Sequence, residues 1–168
     1  MLTVRVKSIL LILALLCVAA LFITPFLSDY GAFRGLDGAV AYIDHLDLWQ
    51  SKDPVTFVTY TVGDIFCPQM ESRSFIINGS QMAFCSRDVS ILLGAIMGCL
   101  ISFARPNIPM RTSLIFLGAS FVIMIADWAF QHFSGMDIMF TRVITGILLG
   151  CAVASVICSY SDIVTPTQ

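Results

Sequence analysis

The residues best suited to chemistry lie in one polar segment between Phe66 and Asp88. This segment holds two cysteines, two arginines and two acidic residues, and apolar runs flank it. Thiolates bind metal ions and exchange disulfides, while guanidinium groups bind carboxylates and phosphates. We therefore expect the chemistry of this chain here, and the elements around the segment must hold it in place.

The composition predicts that those elements are embedded in a membrane. The 168 residues are 58% hydrophobic and 12% charged, with a mean hydropathy of +0.90. Soluble domains are about 45–50% apolar and about 25% charged. The net charge of -2 and the scattered lysines and arginines form no basic surface for a phosphate backbone. We expect an integral membrane protein in contact with the lipid bilayer, and no nucleic-acid partner.

Four apolar runs are candidates to cross the hydrocarbon, which takes about 20 residues. They lie at residues 8–27, 89–104, 112–130 and 143–160. The fold class predicted is an all-α four-helix membrane bundle, one membrane domain over residues 1–168 with an extracytoplasmic segment at 28–87. The first run is longer than the roughly 7 to 15 apolar residues of a secretory leader, so we expect an uncleaved anchor.

Cations in the short flanking segments predict the orientation. Arg5 and Lys7 precede the first span, and Arg105 and Arg111 bracket the proline-rich turn between the second and third. Cytoplasmic loops carry an excess of such residues. The prediction is a multi-pass protein of the cell membrane with both termini cytoplasmic, including the tail after Tyr160.

The extracytoplasmic segment is too long for a plain loop. Apolar residues recur every three positions from Gly38 to Gln50, which predicts an amphipathic helix that Asp53-Pro54 ends. The run at 55–62 fits either a strand or a helix. We favour a helix, because an open strand cannot lie in lipid with unpaired backbone groups.

Small residues stand four positions apart in two of the spans. The second span has Gly94 and Gly98, and the fourth has Gly146, Gly150 and Ala154. This spacing places small residues on one helix face and lets two backbones approach closely. We expect the second and fourth spans to pack against each other there.

Charged residues gather at the outer ends of three spans. Asp127 lies near the end of the third span, Arg142 begins the fourth, and Arg87 and Asp88 begin the second. A charge at a membrane rim needs a partner or water. We expect Arg142 to pair with Asp127, and Arg73 or Arg87 to face Asp88. The alternatives are ion-paired helix ends or a pocket for an anionic ligand.

The six cysteines fall into two groups. Cys17, Cys99, Cys151 and Cys158 lie in spans, where cysteine packs as a small apolar group. Cys67 and Cys85 lie outside, and an oxidising compartment favours a disulfide between them. Free thiols, or a redox or metal site, stay open as alternatives. No spacing supplies the three or four ligands that zinc takes, so no metal is expected.

Asn78-Gly79-Ser80 matches the N-glycosylation acceptor pattern. Asn-Gly is also a tight-turn dipeptide, and a turn accounts for the same residues without a glycan.

The order of C-P-Q, R-S-F, C-S-R-D, G-x-x-x-G, D-x-x-x-Q and R-x-x-T-G resembles an uncharacterised family of prokaryotic membrane proteins, domain of unknown function 2085. The resemblance covers Cys67 to Gly150. It implies that the polar residues on the family's marked positions form one site. Those positions are Cys67, Gln69, Arg73, Ser74, Gly79, Cys85, Arg87, Asp127, Gln131, Arg142, Thr145 and Gly146. Pro68 departs from the family's usual histidine, which speaks against a Cys-His metal site.

The resemblance implies no reaction, so catalytic residues and cofactors stay unassigned. The hypothesis favoured by the sequence is a polar site, to which Asp88 also belongs, that binds an anionic lipid headgroup or a small carboxylate. The first alternative is an accessory protein that holds a membrane partner or forms a homo-oligomer. The second is a thiol redox or metal-dependent membrane enzyme, although the C-x-x-C signature of thiol oxidoreductases is missing.

Overall fold

A computed structural model describes residues 2–105 and 108–164 of the chain. Within them, four helices are long and apolar enough to cross a membrane: Val4–Phe26, Ser86–Ala104, Met110–Ser134 and Met139–Val164. The predicted all-α membrane bundle is confirmed, and every span extends beyond its predicted bounds at one end or both. Residues 106–107 of the proline-rich turn and 165–168 of the tail lie outside the description.

The elements follow one another as helices α1 to α6 with one hairpin between α3 and α4. The helices are α1 Leu2–Ile23, α2 Leu46–Trp49, α3 Pro54–Phe66, α4 Ser86–Ala104, α5 Met110–Ser134 and α6 Met139–Val164; the strands are β1 Ser74–Ile77 and β2 Ser80–Cys85. The chain divides into two compact units. We call residues 1–16 and 90–168 the helical unit and residues 17–89 the hairpin unit. The predicted single membrane domain stays a prediction.

Glycines let α4 and α6 pack closely in the helical unit. A Cβ atom added at Gly94 would overlap the carbonyl of Ile147, and one added at Gly150 would overlap that of Ile91. The predicted contact between the second and fourth spans is confirmed. Beside it lies a buried cluster of Cys99, Ala154 and Cys158, against which the partly buried Leu10, Leu11 and Ala95 pack. Cys17 is exposed, so the predicted apolar packing is wrong for that cysteine.

A buried ion pair joins the two chain ends of the helical unit. Lys7 Nζ lies 2.8 Å from an Asp162 carboxylate oxygen and donates to the carbonyl of Ser102 at 3.4 Å. The first turns of α1 therefore meet the last turns of α4 and α6. Both described chain ends lie at the same end of the bundle, and their cytoplasmic location stays a prediction.

The hairpin unit contains an antiparallel pair of strands that the sequence analysis did not predict. Asn78 and Gly79 join them with φ angles of 50° and 71°, the left-handed values that Asn-Gly supplies in a two-residue hairpin turn. The Asn78 amide nitrogen, which a glycan would modify, donates to the Pro25 carbonyl at 2.8 Å. The turn is present as predicted, while glycosylation stays a prediction.

Helix α3 confirms the helical choice for residues 55–62. Asp53 is its N-cap and accepts the Val55 and Thr56 backbone N–H groups, both at 3.0 Å, and Pro54 occupies the first turn. Asp53-Pro54 thus begins a helix, where the sequence analysis had it end one. Proline suits the first helical position because its missing N–H is not needed there.

The amphipathic helix predicted from Gly38 to Gln50 is wrong over most of its length. Only Leu46–Trp49 is helical. Ala41 has a φ of 72°, and the Asp44 carboxylate accepts the Ala39 N–H at 2.7 Å. A side chain that accepts a hydrogen bond from a nearby backbone N–H favours a turn over a helix. The apolar period of three gave no sign of this competing hydrogen bond.

An aromatic core packs α2 and Phe33 against α3 in the hairpin unit, and α3 also lies against β2. Trp49, Tyr60 and Phe33 are buried, with ring centroids 5.7 Å apart for Trp49–Tyr60 and 4.3 Å for Phe33–Tyr60. A Cβ atom added at Gly63 would overlap the carbonyl of Ala83, so the helix backbone lies directly against the strand. This close approach brings the end of α3 to the end of β2.

Candidate thiol and carboxylate site

Three side chains with metal-ligating atoms converge in the hairpin unit. Cys67 directly follows α3, Cys85 ends β2, and Asp88 lies in the first turn of α4. Their two sulfur atoms and a carboxylate oxygen all lie within 4.8 Å of one another. The packing of α3 on β2 therefore produces a cluster from residues that are 18 and 3 positions apart in sequence.

The sulfur of Cys67 is buried and surrounded by hydrogen-bond donors. The residue is 1% exposed, and its Sγ accepts the Cys85 backbone N–H at 3.2 Å. The Cys85 thiol lowers the pKa of Cys67 by hydrogen bonding to its sulfur; burial opposes this shift, and the backbone N–H of Gln69 adds to it. The site thus favours a thiolate at Cys67.

Cys85 has the opposite preference. Its Sγ lies 3.0 Å from Asp88 Oδ2, so Asp88 and the sulfur of Cys67 share the single thiol proton as alternative acceptors. The pKa of Cys85 is raised because its thiol hydrogen-bonds to Cys67, and because burial and the neighbouring Asp88 charge disfavour a second anion. The surroundings of the two cysteines therefore shift their pKa values in opposite directions.

Gln69 and Ser74 hold the loop that follows Cys67. The fully buried Gln69 amide donates to the Ala83 carbonyl at 3.0 Å, and the Gln69 carbonyl accepts from Gln81 Nε2 at 2.8 Å. Ser74 Oγ donates to the Met70 carbonyl at 3.0 Å. These predicted site residues position the backbone around Cys67. Gln81 was missed, since nothing in the strand sequence distinguishes a buried glutamine from an exposed one.

The predicted disulfide is not formed in the structure, where both Cys67 and Cys85 are free thiols. A disulfide requires its sulfur atoms to be about 2.05 Å apart and the Cβ atoms to face each other. The two residues are near neighbours, so the bridge stays a prediction that chemical analysis of the protein must decide.

A second polar cluster lies in the helical unit around Arg142. Its guanidinium group pairs with Asp137 at 2.7 Å and donates to Gln131 Oε1 at 2.6 Å. Gln131 Nε2 in turn donates to Asp127 Oδ1 at 2.8 Å. Gln131 thus bridges the expected pair of Arg142 and Asp127. Asp137 was missed, although its place in the short loop five residues before Arg142 could have indicated it.

Thr145 is satisfied within its own helix. Its hydroxyl donates to the Thr141 carbonyl at 2.9 Å, while Thr141 Oγ1 accepts from Gln131 at 2.9 Å. Thr141 therefore belongs to the Arg142 cluster, and the hydroxyl of Thr145 serves the helix backbone. No sequence signal separated these two threonines.

The structure thus brings the predicted site residues together in two groups. Cys67, Gln69, Ser74, Cys85 and Asp88 gather in the hairpin unit, which also contains Arg73 at the end of a 3₁₀ turn and Arg87 in the first turn of α4. Asp127, Gln131, Arg142 and Thr145 lie in the helical unit. The prediction that all of them form one site stays a prediction.

The family model of DUF2085, described as a predicted membrane protein, matches residues 67–156. The match spans more than half of the chain and includes both polar clusters. No curated protein and no solved structure shows significant similarity to the chain.

Proposed function

The chain belongs to the DUF2085 family of predicted membrane proteins, and from that premise we propose that it is a membrane-anchored metalloprotein. Cys67, Cys85 and Asp88 would bind one divalent ion, with zinc as the first choice. The orientation predicted from the lysines and arginines puts this site on the outer face of the cell membrane.

The convergence of three ligand atoms within 4.8 Å carries the proposal. Zinc bonds to sulfur at about 2.3 Å and to oxygen at about 2.0–2.2 Å, so tetrahedral ligands lie roughly 3.5–3.8 Å apart. Side-chain rotations would bring the present separations, from 3.0 Å between Cys85 Sγ and Asp88 Oδ2 to at most 4.8 Å, to that size. Two thiolates and a carboxylate suit zinc better than magnesium or calcium, which take oxygen ligands. Three protein ligands leave one position for water or substrate, as in catalytic zinc sites.

The hydrogen bonds around Cys67 support the same proposal. Outer partners that orient a ligand and stabilise its charged form are a regular part of metal sites. Here the Cys85 and Gln69 backbone N–H groups donate to the sulfur of Cys67, and the buried Gln69 side chain is fixed on Ala83. A bound cation would also remove the penalty for ionising Cys85 beside Asp88.

Burial favours a metal site over thiol exchange. A thiol that exchanges with another protein must reach the partner disulfide from solvent. Cys67, the thiol with the lowered pKa, is 1% exposed. The sequence predicted no metal, because no spacing supplied enough ligands and Pro68 replaces the family's usual histidine. Asp88 supplies the third ligand in its place, one helical turn after Cys85.

The hypotheses favoured by the sequence have weaker support. An anionic headgroup or small carboxylate at Arg142 would compete with Asp137, which already pairs with that guanidinium at 2.7 Å. An accessory role rested partly on the glycine faces, yet Gly94, Gly98 and Gly150 lie against backbone atoms of this same chain. Neither hypothesis has a geometric observation comparable to the three converging ligands.

Cobalt titration of the reduced, metal-free protein tests the proposal. Co²⁺ replaces Zn²⁺ in thiolate sites and gives a thiolate-to-metal charge-transfer absorption. We expect one Co²⁺ per chain, displaced by Zn²⁺, and loss of this absorption in Cys67→Ser. Cys17→Ser is the matched control, since Cys17 lies in a span and should leave the spectrum unchanged. A stoichiometric complex that survives Cys67→Ser, or no complex at all, would contradict the proposal.

A further inference from the structure

Helix α3 presents an uncharged apolar stripe on its exposed side. Val55, Val58, Val62 and Phe66 are 48%, 55%, 38% and 68% exposed. Their spacing of three, four and four positions puts them on one face of the helix. Thr56, Tyr60, Gly63 and Asp64 are buried on the opposite side.

The stripe is not the ordinary face of a water-soluble helix. Asp64 is the one charged residue between Pro54 and Phe66, and it is 1% exposed. A helix with its polar groups turned inward and its apolar groups outward has the pattern of a segment in contact with lipid or protein.

The position of α3 in the hairpin unit indicates which of these covers it. The helix packs against the 3₁₀ turn Thr24–Phe26, which is the last turn of the first membrane span, Val4–Phe26. Phe26 and Leu27 are 63% and 50% exposed beside it. α3 therefore lies at the level where this span leaves the hydrocarbon.

The length of α3 determines how it can lie there. Its 13 residues correspond to about 20 Å at about 1.5 Å per residue, which is shorter than the hydrocarbon thickness of about 30 Å. The helix cannot span the bilayer, but it can lie along the surface with one face in the acyl chains. Tyr42 is 69% exposed and follows Ala41, whose N–H donates to the Ile65 carbonyl at 2.8 Å. A tyrosine in that place suits the headgroup region.

We infer that α3 is an interfacial membrane helix and that phospholipid acyl chains cover the stripe of Val55, Val58, Val62 and Phe66. The protein then contacts the bilayer through this fifth helix in addition to its four spans. The inference does not depend on the metal site, because it follows from the exposed face of α3 and its contact with the end of the first span.

Site-specific photo-crosslinking tests this inference. The full chain, reconstituted in phosphatidylcholine and phosphatidylglycerol vesicles, carries p-benzoylphenylalanine at Val58, and mass spectrometry identifies the adduct after irradiation. The positive control carries the label at Ile123, an exposed residue in the span Met110–Ser134. The negative control carries it at Ser51, an exposed polar residue just before α3.

We expect the label at Val58 to form phospholipid adducts with a yield similar to that at Ile123, and the label at Ser51 to form none. An adduct with a second copy of the chain, or no lipid adduct at Val58 while Ile123 gives one, would overturn the inference. A second set of variants tests the inference if the label at Val58 disturbs folding. A label at Val62 should give the same lipid adduct, and Val58→Asp should reduce it while Ser51→Asp leaves it unchanged.

Discussion

Each unit contains a polar cluster, and the two clusters are built in different ways. In the helical unit, Lys7 pairs with Asp162 and Arg142 pairs with Asp137, so each of these buried cations has an anion beside it. In the hairpin unit, Cys67, Cys85 and Asp88 bring three electron-rich atoms together. Paired charges hold helices in place, whereas converging ligand atoms are favourable once a cation or a covalent bond joins them. The contrast supports the proposal that the second arrangement binds a cation, while the first stabilises the fold.

Arg142→Ala should have the largest effect on stability. The substitution removes the buried guanidinium that pairs with Asp137 and donates to Gln131. Breaking a fully buried pair costs about 3–5 kcal/mol, and we expect a loss near the lower value because Asp137 is exposed. Thermal unfolding in detergent, measured with and without zinc, should show the same loss in both conditions. Arg111→Ala is the matched control, because Arg111 is exposed and surface changes stay within about 0.5 kcal/mol. A loss that appeared only with zinc would break the distinction between the two units.

Gly94→Val tests the packing that holds α4 on α6. The added side chain meets the backbone of Ile147, which cannot move aside as a side chain can, and overpacking of this kind costs about 1–3 kcal/mol. Gly118→Val is the control, since a Cβ atom there has no neighbour within 4 Å. Unfolding curves of the two variants should differ clearly. Equal stability would contradict the close packing of these helices.

Gln69→Ala should lower the metal affinity of the hairpin unit more than it lowers the stability of the helical unit. The substitution frees the loop that carries a donor to Cys67, and loss of an outer partner weakens metal binding about 10–100-fold. Competition between Co²⁺ and a chelator of known affinity measures the change. Gln50→Ala, at an exposed position of the same unit, should bind as the unchanged protein does. An unchanged Co²⁺ affinity in Gln69→Ala would contradict the role of this side chain in positioning Cys67.

Asp53→Ala should have the smallest effect, because it removes only the cap of α3. Loss of an N-cap costs about 1 kcal/mol. Burial raises the pKa of Asp53, but hydrogen bonds from Thr56 and Val55 outweigh it and leave the pKa below its ordinary 3.8. The cap therefore stabilises the protein fully above the ordinary pKa of 3.8, and this stabilisation is lost as the pH falls through the lowered pKa of the folded protein. Unfolding between about pH 5 and pH 2 should lose part of its pH dependence in Asp53→Ala and keep it in Asp29→Ala, an exposed acid outside any cap.

Hydropathy and spacing predicted the part of the fold that the membrane dictates. The four spans follow from run length, and the contact of Gly94 and Gly150 with the facing helices follows from small residues four apart. Asn78-Gly79 predicts the turn of the hairpin, but it does not by itself predict the two strands that flank the turn. In these cases a local pattern has one dominant physical cause.

The hairpin unit was harder to predict because two causes compete at single residues. Asp53-Pro54 can end a helix before it or begin a helix after it. Here the side chain of Asp53 caps α3, so the pair begins a helix. Asp88 is an acid in the first turn of a helix, where it is common without any ligand. Asp88 is three residues from Cys85, but only the packing of α3 on β2 brings both of them beside Cys67. That tertiary contact leaves no spacing in the sequence.

The most direct test of the account is native mass spectrometry of the unreduced protein extracted from membranes, with Cys67→Ser measured in parallel. The account predicts a mass that exceeds that of the chain by one zinc ion, and no bound metal in Cys67→Ser. A mass two hydrogens below that of the chain, with Cys67 and Cys85 in one disulfide-linked peptide pair, would contradict it. So would a metal-free chain with both thiols reactive.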